Sequence, residues 1–107
     1  MEGSVTLPGA EPFTNGRLVV RAEDVTYQDS KAKVLGEWVL EGAASKDAPF
    51  RFRIALADWN EGMDAAISAS LDADGDGHPD FWNPVSVPVT GMGSYDLVLQ
   101  KVDRKGG

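Results

Sequence analysis

The sequence contains no cysteine. That excludes disulfides, thiolate nucleophiles, Cys-type zinc sites and iron–sulfur clusters together. Histidine occurs once, as His78, and no Ser-His-Asp or Cys-His set can be singled out around it. Basic residues are few: 10 Lys+Arg stand against 17 Asp+Glu, a net charge of −7. They are also scattered, so neither nucleic acid nor an anionic membrane surface is an expected partner. No apolar run approaches the roughly 20 residues of a membrane span. Glycine-rich phosphate loops and dinucleotide fingerprints are missing. The first residues, Met1-Glu2-Gly3-Ser4, lack the charged-then-apolar pattern of a signal peptide. No enzyme is expected from this inventory.

What is present suits one soluble domain over residues 1–107, with 1–3 and 103–107 expected to be flexible. The chain is 42% hydrophobic and 25% charged, and its 12 glycines and 6 prolines are spread along it. Such punctuation separates short strands. From Pro49 to Ala57, Phe50, Phe52, Ile54 and Leu56 alternate with Arg51, Arg53, Ala55 and Ala57, the period of a half-buried strand. Arg17–Glu23 sets Leu18, Val20 and Ala22 on one side. Lys33–Glu41 groups Val34, Trp38 and Leu40, with Leu35 and Val39 opposite. Ala65–Leu71 turns Ala65, Ile67, Ala69 and Leu71 inward. Pro84–Thr90 alternates valines, Ser94–Val102 alternates Tyr95, Leu97 and Leu99, and Ser4–Leu7 makes a short first strand. A short helix or turn is expected over Asp58–Asp64. The fold class is therefore all-β: an antiparallel β-sandwich or open barrel of six to seven strands.

One segment carries specific chemistry. In Asp72-Ala73-Asp74-Gly75-Asp76-Gly77-His78-Pro79-Asp80, four carboxylates occupy loop positions 1, 3, 5 and 9, with glycine at position 6. This is the spacing of a calcium loop. Calcium takes six to eight oxygens, and short Asp side chains reach one ion only from alternate residues of a curling chain. The expected ligands are Asp72, Asp74, Asp76, the His78 carbonyl, Asp80 and, at position 12, Asn83. An EF-hand would need helices on both sides, whereas both flanks read as strands and Pro79, Pro84 and Pro88 oppose a helix on exit. The expectation is a calcium loop closing a β-hairpin. It resembles the loops of thrombospondin type 3 and integrin-type propeller repeats over about a dozen residues. With no helices to open, Ca2+ is expected to staple the fold rather than switch it. A plain acidic turn is the bland alternative, though four like charges this close repel, by about 1 kcal/mol per pair at 4 Å in water.

Over residues 15–102 the order of short motifs resembles the YbaY/YscW-like family of small periplasmic lipoproteins related to type III secretion pilotins. The motifs are Asp24-Val25-Thr26, Asp29-Ser30-Lys31-Ala32-Lys33-Val34-Leu35, Pro49-Phe50-Arg51-Phe52, a hairpin with a central Asp-Gly, and Leu97-Val98-Leu99-Gln100-Lys101-Val102. The resemblance implies a β-sandwich-like fold, a chaperone- or pilotin-type role on a protein partner, and no catalysis. It also implies a periplasmic or envelope location; Asn83 in place of Glu at loop position 12 suits a calcium-rich periplasmic or extracellular setting, and a signal peptide is expected to have been removed from this sequence.

The tryptophans support a rival function. Trp59 and Trp82 are candidate ligand-binding aromatics, since a β-sandwich with a structural calcium and exposed tryptophans is the physical plan of a carbohydrate-binding module, and a glycan would then be the partner. Against that, large aromatics are mostly buried. Trp38 is expected in the core, and Phe81 and Trp82 under the acidic loop.

Overall fold

Alternating apolar side chains turn the middle of the chain into strands with one buried face. In β2 (Gly16–Asp24), Leu18, Val20 and Ala22 are fully buried; in β5 (Ala65–Asp72), Ile67 and Leu71 are. The computed structural model describes residues 2–8, 12–24, 33–55, 64–73, 75, 77–83, 87–89 and 94–101. The other strands within them are β1 (Glu2–Thr6), β3 (Lys33–Ala43), β4 (Phe50–Arg53), β6 (Phe81–Trp82), β7 (Val87–Pro88), β8 (Ser94–Val98) and β9 (Gln100–Lys101). A 3-10 turn covers Ser45–Asp47. The short helix or turn expected over Asp58–Asp64 lies, apart from Asp64, outside the described residues, as does Trp59.

Two sheets form a β-sandwich-like domain. One has the order β4-β1-β8. The other has the order β3-β2-β5-β6-β9, with β7 pairing further along β5. A single core cluster draws on both, including Val5, Phe50 and Leu97 from the first sheet and Leu18, Ile67 and Leu71 from the second.

Three details depart from a simple antiparallel meander. First, β1 pairs antiparallel with β4 but parallel with β8. Second, the 94–101 segment belongs to both sheets. Tyr95 and Leu97 face the core from β8, beside β1. After Leu99, whose N–H donates to the Thr6 carbonyl at 2.9 Å, the chain continues as β9 and pairs with β6. Third, β3 changes phase. Its register jumps from Gly36 opposite Ala22 to Val34 opposite Glu23, leaving Leu35 bulged. The extra residue moves everything before it to the other face. Leu35 is therefore buried and Val34 is 47% exposed, whereas Trp38 and Leu40 pack partly against the core. The expected grouping of Val34 with Trp38 and Leu40 fails for this reason. Gly36, inside the bulge, lies where a Cβ would come within 2.4 Å of Ile54 Cγ2 and 2.8 Å of the Ala55 carbonyl oxygen. A second bulge, at Gly42 with φ +73°, lies opposite Gly16–Arg17.

Candidate functional site

The acidic segment closes a β-hairpin. Leu71 of β5 pairs with Phe81 of β6, and residues 73–80 form the connection. Asp74 and Asp76 lie outside the described residues, so the loop is described through its two ends and its glycines. At position 1, Asp72 folds back over the loop: Oδ1 accepts from the Gly75 N–H and Oδ2 from the Gly77 N–H, both at 2.9 Å. At position 9, Asp80 Oδ2 accepts from the Ala73 N–H at 2.9 Å, and the Asp80 N–H donates to the Leu71 carbonyl at 2.7 Å. Gly75 and Gly77 adopt φ of +76° and +87°, the left-handed region where a side chain is strained. Both end carboxylates are thus oriented by backbone donors. A carboxylate oxygen can accept more than one bond, so acceptance from an N–H does not by itself bar it from a cation.

Asn83 is turned elsewhere. Its Oδ1 accepts from the Ala69 N–H at 2.7 Å, and its Nδ2 donates to the Ile67 carbonyl at 3.3 Å. The side chain runs back along β5, away from the acidic turn, and bridges the interval between the β6 and β7 pairings. His78 is exposed.

The outward face of the larger sheet holds a second candidate. Cross-strand register places Val39, Val19, Ser70, Trp82 and Gln100 in one row across β3, β2, β5, β6 and β9. A trough of about 480 Å³ lies in this face. Ser68 and Ser70 of β5 form its floor, Arg17, Val19 and Arg21 of β2 one wall, and Trp82 with Asn83 the other. Its walls stand two strand spacings apart, about 10 Å. Both arginines are held from the β3 side: Arg21 Nε and Nη2 reach Glu37 Oε2 at 2.8 and 2.6 Å, and Arg17 Nε lies 3.3 Å from Glu41 Oε1.

Trp82 departs from its expected place under the loop, being 48% exposed. Adjacent residues of a strand point to opposite faces, so Phe81 packs against the core and Trp82 faces out. Trp38 is half-buried, with its ring centroid 6.3 Å from that of Phe52. The trough arginines and serines were not picked out from the sequence. Their outward alternation was legible, but their meeting depends on β2 pairing with β5, which no local pattern encodes.

A third feature is the edge at β3. Among the described residues, no strand pairs with its side away from β2. Val34 and Val39 are exposed along it.

No protein-family model matches the chain, and no curated protein matches it. Among solved structures, the chain is similar to an alternative pilotin from the type II secretion system of Vibrio cholerae. The TM-score is 0.81 and the sequence identity 19%, covering 97% of this chain and 96% of that one. The shared property is the fold.

Proposed function

We propose that this chain is a non-enzymatic accessory protein of the cell envelope, pilotin-like in role, that binds a protein partner and is stapled by calcium. The observation that carries the reading is the agreement of fold with a pilotin over nearly the whole of both chains. Two domains that superpose over nearly all of both chains can present the same framework for docking. The motif order from residues 15 to 102 supports the same reading from the sequence.

The open side of β3 is the docking edge in this proposal. An extended partner segment adds to such an edge through main-chain hydrogen bonds, and alternate side chains supply specificity. The half-buried Trp38 and Leu40 offer apolar surface on the inner side of the strand, and Val34 and Val39 on the outer.

Calcium enters the proposal through the acidic turn. Asp72, Asp74, Asp76, the His78 carbonyl and Asp80 are the ligands. The amide of Asn83, engaged along β5, is not among them. The ion supplies cross-linking of the β5–β6 turn and neutralises its charge. Its site suits a compartment rich in calcium, periplasmic or extracellular.

A photo-crosslinking residue at Val39, introduced into the protein in its own cells, tests the docking edge. The expected adduct is a secretion-system component of the envelope, captured at Val39 and not from a control position at Arg51 on the other sheet. Equal capture from both positions, or none from Val39, overturns the reading.

A further inference from the structure

We infer that the trough between Arg17, Arg21 and Trp82 is a carbohydrate site, built to take an uncharged pyranose ring of a glycan. It lies on the outer face of the larger sheet rather than along the β3 edge, and the inference stands apart from the proposed docking role.

Charge restricts the ligand first. The protein carries −7 overall, yet no carboxylate lines this trough among the described residues. A cationic segment would meet two guanidinium groups there. An anion would meet arginines already neutralised: Arg21 donates twice to Glu37, and Arg17 is paired with Glu41. The ligand that fits balanced ion pairs is neutral and rich in hydrogen-bonding groups.

The shape of the chemistry narrows this further. A pyranose has an apolar face of C–H groups and a rim of hydroxyls. Trp82, 48% exposed, offers an indole side chain at one wall, and Val19 an apolar contact at the other. Ser68 and Ser70 supply hydroxyls on the floor. The two guanidiniums keep terminal N–H groups beyond those used on Glu37 and Glu41. Asn83 contributes structure rather than recognition, since its amide is engaged with Ala69 and Ile67. A trough about 10 Å across admits a single file of sugars.

The test is an NMR titration of the intact isotope-labelled protein with neutral trisaccharides of glucose and of N-acetylglucosamine, and with an acidic trisaccharide of galacturonate. The expected result is saturable shifts for a neutral sugar at Ser68, Ser70 and the Trp82 indole N–H. Trp82→Ala should weaken binding about tenfold, the scale of a lost stacking contact. Ser70→Tyr should block the floor and abolish the shifts. Arg51→Ala, on the other sheet, should bind as the wild type does. Thermal melts of all variants show whether the fold is intact, and an unfolded Ser70→Tyr leaves Trp82→Ala to decide. Shifts with the acidic sugar alone, shifts elsewhere on the surface, or none with any sugar at millimolar concentration would overturn the assignment. So would undiminished affinity in Trp82→Ala.

Discussion

Asn83 holds both sides of one residue, Ala69. Its backbone N–H donates to the Ala69 carbonyl at 3.2 Å, and its side-chain Oδ1 accepts from the Ala69 N–H at 2.7 Å. The Nδ2 group then donates to the Ile67 carbonyl at 3.3 Å. Without it, a buried strand would have unsatisfied polar groups where β6 ends and β7 has not begun. Asn83→Ala is expected to lower stability by about 1–3 kcal/mol, the cost of partly buried unpaired groups. Asn83→Asp keeps the acceptor and loses the donor, so its loss should be smaller. Urea denaturation of the three proteins measures both. Equal stability of Asn83→Ala and wild type would show that solvent replaces the amide.

Calcium stapling predicts a melting temperature that depends on the ion. A ligand at a hundred times its Kd adds about 2.7 kcal/mol, and a domain this small gains roughly 10 °C or more from that. The Asp74→Ala, Asp76→Ala double variant should melt alike with calcium and with chelator. Asn83→Ala, by contrast, should keep the calcium-dependent gain while melting lower in both conditions. Coincident wild-type curves with calcium and chelator would remove the ion from the account.

Two glycines separate crowding from backbone strain. A Cβ on Gly3 would sit 1.8 Å from the Tyr95 carbonyl oxygen and 2.8 Å from Phe52 Cζ, inside the central strand of the smaller sheet. Gly3→Ala is expected to cost about 3 kcal/mol or more, because backbone must move. Gly42 has open space around its missing Cβ and a φ of +73°. Gly42→Ala should cost about 1–2 kcal/mol, from the left-handed conformation alone, and Gly42→Asn less. Chemical denaturation that ranks the two alanine variants in reverse would contradict this packing.

Leu99 sits at the corner where the last strand leaves one sheet for the other, and it is 1% exposed. Leu99→Ala should cost about 2–5 kcal/mol, as for other buried leucines. Because both sheets meet there, fluorescence and circular dichroism should report one shared transition in the variant. Two separated transitions would mean that the sheets unfold independently once this corner is weakened.

The buried faces of β2, β4 and β5 were legible because each keeps an uninterrupted period of two within the described residues. The face of Val34 was not, since the bulge at Leu35 is a property of pairing with β2 and leaves no mark in the alternation itself. Pro84–Thr90 read as one run. Asn83 was expected in the calcium loop, whereas its amide, looking like a loop residue in sequence, completes the hydrogen bonding of β5 where the chain departs. For the acidic turn, spacing located the hairpin and the left-handed Gly77. The exposure of Trp82 runs against aromatic size alone, because Phe81 and Trp82 are strand neighbours and only one of them can face the core. The trough could not be read at all, since its walls are 61 or more residues apart in sequence (Arg21 to Trp82).

The pairing of β1 with β8 sets the order in which the molecule can come together. Ser4 Oγ donates to Asp96 Oδ1 across 92 residues, and β1 is the middle strand of its sheet. A nascent chain therefore cannot complete that sheet until residues 94–98 have been synthesised. Contacts so remote in sequence close slowly. Until then β1 has only β4 to pair with, and the smaller sheet stays open along its other side.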